Sequence, residues 1–89
     1  MKEVDKCTVI KRIIVRNGSV AQTNQAIEEM AELIVAINHY RRGRCMSDEV
    51  IEEIADVLIM MHQLALIFSE KAVMQKVEEK MQRLVEQLE

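Results

Sequence analysis

Ile27-Glu-Glu-Met-Ala-Glu-Leu33 and its echo Ile51-Glu-Glu-Ile-Ala-Asp-Val57 place acids inside two apolar stretches, and their reading decides the fold. At about 100° per residue, Glu53 falls inside the stripe formed by Val50, Val57, Met60, Leu64, Ile67 and Phe68. Asp56 falls at the edge of that stripe beside Ile67, while Glu52 and His62 lie further round on the polar side. The same arithmetic puts Glu29 between Leu33 and Ala36, with Glu32 just beyond Ala36 and Glu28 turned away. Each stretch is therefore a helix with a Glu-x-x-Glu or Glu-x-x-Asp pair on its apolar side. An antiparallel pairing of the two brings Glu29, Glu32, Glu53 and Asp56 towards one point.

Acids on a helix are usually a solvated face laced with i,i+4 ion pairs. The distribution of bases argues against that here. From Asn17 to Tyr40 there are three acids and no Lys or Arg, and from Cys45 to Glu70 six acids and again none. Unpaired carboxylates in an apolar setting are costly, and four of them repel one another. Divalent cations cancel that charge and give the oxygens ligands, so the preferred reading is a metal site that acts on phosphate. A redox di-iron bundle calls for Glu-x-x-His motifs, and neither His39 nor His62 has an acid three residues before it. An all-carboxylate set suits Mg²⁺, with Mn²⁺ as a substitute.

Working outward, Asn17-Gly18-Ser19 is the clearest punctuation. Gly18 suits a helix C-terminus, and Ser19 with Gln22 makes a capping-box pattern for the next helix. That helix should run to about Tyr40, with Arg41 and Arg42 at its negative end and Gly43 terminating it. Ser47 reads as the N-cap of a third helix carrying Asp48 and Glu49 in its first turn and ending at Phe68. Ser69-Glu70 reads as a break before a last helix to about Leu88, and Asp5 to Arg16 as a weaker first helix. The expectation is one domain over 1–89, all-α, of the four-helix-bundle type.

With 89 residues, no Pro, two Gly and only two aromatics, the chain is rich in helix formers and of a size where a lone core is marginal. A core of Ile, Leu, Val and Met is expected, with Met60, Met61, Met74 and Met81 as core and interface filler, and a homodimer or homotetramer completing it. The net charge of −3 and the lack of long like-charge runs disfavour nucleic acid and membrane as partners. No stretch reads as a signal peptide or membrane span, so a cytoplasmic location is the expectation. Cys7 and Cys45 have no metal or redox spacing and read as reduced, incidental thiols.

Gln25-Ala-Ile-Glu-Glu-Met-Ala-Glu-Leu-Ile34 with Glu52-Glu-Ile-Ala-Asp-Val57 resembles the MazG-type all-α nucleoside triphosphate pyrophosphohydrolases, in spacing as well as in residues. The similarity runs from about Val20 to Phe68 and, more loosely, through Glu78-Glu-Lys-Met-Gln-Arg-Leu84. It implies obligate oligomers and Mg²⁺-dependent hydrolysis of a (deoxy)nucleoside triphosphate to the monophosphate and pyrophosphate, a nucleotide-pool house-cleaning role. Glu29, Glu32, Glu53 and Asp56 match the family's metal-binding, catalytic positions. Lys76, Lys80 and Arg83 are candidates for phosphate contacts, as charges on an outer helix face otherwise. Tyr40 is a candidate for lining the nucleotide pocket, or a boundary residue capping the core. The Arg41-Arg-Gly-Arg44 loop reads as helix-end charge, and His62 as a surface histidine. Family members often carry an aromatic residue upstream of the first motif, and this chain has none before Tyr40. The competing reading is a non-catalytic helical interaction module or a regulatory nucleotide-binding domain.

Overall fold

In the computed structural model, which describes residues 5–89, four helices follow one another with no strand among the described residues: α1 Lys6–Asn17, α2 Ser19–Arg41, α3 Ser47–Phe68 and α4 Glu70–Leu88. The first four residues of the expected 1–89 domain lie outside the described residues. Helix α1 opens on Asp5, whose carboxylate accepts from the Cys7 amide at 3.1 Å and the Thr8 hydroxyl at 2.7 Å. The Thr8 bonds hold this carboxyl below its ordinary range.

Gly18 alone joins α1 to α2. Its φ of 90° lies in the region that favours glycine; its N–H closes α1 on the Ile14 carbonyl and its carbonyl accepts the Gln22 N–H. Ser19 is therefore the first residue of α2 rather than its cap, and no capping box forms. The Gln22 side chain is instead drawn inward, away from the helix end. At the next junction Met46, in extended conformation, takes the cap position expected for Ser47, with the Glu49 N–H on its carbonyl at 3.2 Å. Ser69 does cap α4, accepting from the Ala72 amide at 3.1 Å.

Helices α2 and α3 pack as an antiparallel pair, joined by a short turn in which Gly43 takes φ 71°. Their seam reads Gln22, Ala26, Glu29, Leu33, Ala36 on one side and Glu53, Val57, Met60, Gln63 or Leu64, Ile67 on the other, all buried or half-buried and spaced three and four apart. Helix α1 leans on both. Helix α4 meets only α3, and every one of its residues is exposed.

The expected core of large aliphatic side chains does not form within one chain. Among the described residues the buried side chains are Ala26, Ala36, Met60, Gln22 and Gln63, and no large side chain is fully buried. Met74 and Met81 are 54% and 52% exposed, and Ile27, Ile34, Ile51 and Leu58 face outward as well. The radius of gyration, 16.0 Å, exceeds the roughly 12 Å of a compact domain this long. The apolar stripes read from α2 and α3 are buried or half-buried apart from Phe68, and the uncovered apolar area lies on the opposite face of those helices and along α4. No described helix is long and apolar enough to cross a membrane.

Candidate metal centre

The α2–α3 seam carries the four acids because the spacing of each pair sets two carboxylates almost one turn apart on the facing sides of antiparallel helices. One carboxylate oxygen each of Glu29, Glu53 and Asp56 lies within 4.8 Å of the others. Glu29 and Glu53 are half-buried and Asp56 is exposed. Glu32 stands outside that close span, yet it faces the same cluster. The negative charge of Glu29 first, then desolvation and the charge of Glu53, raise its pKa above the ordinary range.

Two details set this cluster apart from a solvated face. Glu29 Oε2 and Glu53 Oε2 are buried and meet no hydrogen-bond donor among the described residues. The ion pairs among those residues are His62–Glu70 at 3.7 Å and Lys76–Glu79 at 3.0 Å, so no Lys or Arg neutralises any of the four acids. Meanwhile Gln25 Nε2 donates to Glu29 Oε1 at 2.7 Å, which occupies the outer oxygen of that carboxylate and turns the other into the cluster. A buried carboxylate oxygen without a donor is expensive. A hard divalent cation satisfies such oxygens directly, and the residues present fit one.

Beside the cluster, and sharing Glu53 and Glu32 with it, runs an open groove of about 410 Å³ whose polar lining is Glu32, Glu49, Glu52, Glu53 and His39. Sequence reasoning turned Glu52 towards the polar surface, and the structure places it on the groove wall. It passed over His39 and Glu49, although the signals were there: His39 follows Glu32 by seven residues and Glu49 precedes Glu53 by four, so both share a face with a cluster acid. Cys45, at the same end, is half-buried with its thiol 3.7 Å from the Ala36 carbonyl. Burial, and then the Glu49 carboxylate, push that thiol's pKa up, which makes it a weak nucleophile.

The remaining candidates stand apart. Tyr40 is 51% exposed, neither capping a core nor lining the groove. Lys76, Lys80 and Arg83 lie on α4, which makes no contact with α2. Arg41 and Arg42 line a separate small depression with Asn38. His62 is half-buried beside Glu70, where α3 gives way to α4, rather than free on the surface.

Fold and site together define an all-helical protein whose central helix pair holds an acidic cluster. The MazG nucleotide pyrophosphohydrolase domain matches residues 19–88, most of the 89-residue chain, and the protein belongs to that family. The family supports a hydrolase of the pyrophosphohydrolase kind with a nucleotide as its substrate. Neither the curated proteins nor the solved structures contain a match.

Proposed function

We propose that this chain hydrolyses a (deoxy)nucleoside triphosphate to the monophosphate and pyrophosphate in a Mg²⁺-dependent reaction, for which Mn²⁺ can substitute. The observation that carries the reading is the pair of buried, donorless oxygens of Glu29 and Glu53 beside Asp56. In this reading Glu29, Glu53 and Asp56 hold the cation, with Glu32 completing the set. The ion, when bound, neutralises charge on the phosphate oxygens and acidifies water.

The chain's own residues do the rest. Gln25 fixes the rotamer of Glu29 through the 2.7 Å bond to its outer oxygen. Glu32, which faces the cluster from outside the tight trio, is the carboxylate suited to accept a proton from the attacking water. The groove leading away from Glu53 gives a cation-bound polyphosphate chain a path along α2 and α3.

The working unit is proposed to be a homodimer or homotetramer. What supports this is the exposed face of α4, where Val73, Val77, Met81, Leu84 and Val85 recur at helical spacing with exposures of 37–52%. Within one chain α4 stands away from α2, so Lys76, Lys80 and Arg83 reach a triphosphate only in a neighbouring copy's groove.

The test is release of pyrophosphate from a panel of canonical and modified triphosphates with Mg²⁺ or Mn²⁺. Glu53→Gln should abolish turnover in a folded oligomer. Absence of turnover on every triphosphate, by protein shown to bind the cation, would end the enzymatic reading.

A further inference from the structure

We infer that Gln22 and Gln63 form a positioning clamp that sets the register of α2 against α3 and so brings the carboxylates into one cluster. The inference rests on the proposed metal-binding role of those carboxylates.

The two amides are buried, 7% and 4% exposed, and Gln22 Nε2 donates to Gln63 Oε1 at 2.7 Å. Asn17 Nδ2 donates to Gln22 Oε1 at 3.0 Å, and Gln63 Nε2 points at Met60 Sδ at 3.7 Å, so both amides have partners for oxygen and nitrogen. Apart from the carboxylates, this is the one side-chain hydrogen bond joining α2 to α3 among the described residues. It buries two polar groups where aliphatic side chains of similar size would fit the seam.

Its place in the sequence gives it a purpose. Gln22 stands seven residues before Glu29, and Gln63 seven residues after Asp56. Seven residues are two turns, about 10 Å along the axis and on the same helical face. On antiparallel helices, the alignment that pairs Gln22 with Gln63 is therefore the one that sets Glu29 opposite Asp56. A slip of one turn displaces the helices by about 5.4 Å, more than the 4.8 Å that spans the trio of oxygens.

The larger apolar side chains of the seam, Leu33, Val57, Leu64 and Ile67, are only half-buried, and their three- and four-residue spacing lets a one-turn slip set one where another stood. Its buried apolar residues are Ala26, Ala36 and Met60, two side chains without shape to interlock and one flexible enough to adapt. Carboxylates whose oxygens lie within 4.8 Å of one another repel and favour separation. A buried polar pair between two helices selects register by penalising every alignment that leaves an amide unpaired. Here the penalised alignments are those that dismantle the cluster. Neither glutamine lines the groove or touches the acids, so both act through the carboxylates.

The experiment replaces both amides, Gln22→Met with Gln63→Met, and reads three quantities. Melting should occur at no lower temperature than in the native protein, because exchanging a buried polar pair for apolar residues of similar size removes no net stability. Mn²⁺ affinity, measured by isothermal titration, should fall at least tenfold. Spin labels at Asn24 and Asp48, with both native cysteines replaced by serine and the labelled chain diluted into unlabelled chain, should give one narrow distance with the glutamines present. In the methionine variant that distribution should broaden or gain a component displaced by about one turn. A folded variant with unchanged affinity and an unchanged distance overturns the clamp. A variant that fails to fold overturns it too, since the pair would then hold the fold together rather than choose a register. If the native protein binds no Mn²⁺, the metal reading fails, while the metal-free label distances still decide the clamp.

Discussion

The α2–α3 pair and α4 use similar residue types for opposite ends. In α2 and α3 the acids outnumber the bases and sit on the seam, where two carboxylate oxygens are buried without a donor. In α4 acids and bases alternate along a solvated face, Lys76 pairs with Glu79, and the apolar residues on the other side stay exposed although the helix meets α3. The first region leaves charge uncompensated, and the second leaves apolar area uncovered. Each deficit names the kind of partner that relieves it: a small cation for one, a large apolar surface for the other.

The largest effect expected of a change in the first region is loss of turnover. Glu53→Gln removes one charge and the buried Oε2, and pyrophosphate release should fall by a factor on the order of a thousand or more. Circular dichroism and light scattering should show an unchanged helical oligomer. A residual rate within tenfold of the native one would mean that the cluster is structural.

The complementary change is to α4. Met81→Asp with Leu84→Asp places charge in the apolar face and forfeits roughly 1.5–3 kcal/mol for each large side chain it keeps from burial. The assembly should fall apart at micromolar concentration in sedimentation velocity, and a variant that keeps the native assembly would show that this face is not the interface. Cation binding at the α2–α3 site should be less affected than assembly.

Adding the cation tests the first deficit without mutation. A ligand that binds only the folded state stabilises it by about 2.7 kcal/mol at a hundredfold excess over its Kd. The melting temperature should therefore climb with Mg²⁺, and Glu53→Gln should flatten the climb. An equal climb in both proteins would point to nonspecific screening.

The smallest effect concerns protons. The folded-state pKa of Glu32 is raised above its unfolded value by the charges of Glu29 and Glu53. The folded state therefore binds that proton more tightly than the unfolded chain does, and its contribution to stability is full below the unfolded pKa of about 4.5 and lost as pH rises through the folded one. Without metal, the native protein should gain stability relative to Glu32→Gln on mild acidification from neutrality. The difference should vanish with saturating Mg²⁺, and a difference unchanged by the cation would place Glu32 away from the site.

Much of this contrast was legible in the chain. The helical period alone set Glu29, Glu32, Glu53 and Asp56 towards one seam, and the absence of bases between Asn17 and Tyr40 is a fact of composition. The same period identified one apolar face on α2 and α3, and that face is covered, but it left out the aliphatic residues behind it. Ile34 and Ile51 stand on the opposite side of their helices and, like Met81 on α4, remain exposed in one chain. The capping residues were misplaced for a backbone reason: Gly18 closes one helix and opens the next by itself, which leaves Ser19 nothing to cap. That in turn hid the role of Gln22, whose spacing from Ser19 imitates a capping box while its amide belongs to Gln63. Glu52, read as lying on the polar side of its helix beside the cluster, is exposed there and reaches the rim of the groove through the length of its side chain.

The groove beside Glu53 also behaves as a charge filter. With Glu32, Glu49, Glu52 and Glu53 on its walls and no Lys or Arg among its lining residues, it repels a bare polyphosphate over roughly the Debye distance. Under the proposed function, a free triphosphate reaches the cation-free protein slowly, and faster as salt screens the repulsion, the reverse of the usual trend for an enzyme and its charged substrate. On the same proposal, turnover should follow the supply of divalent ion before it follows that of the nucleotide.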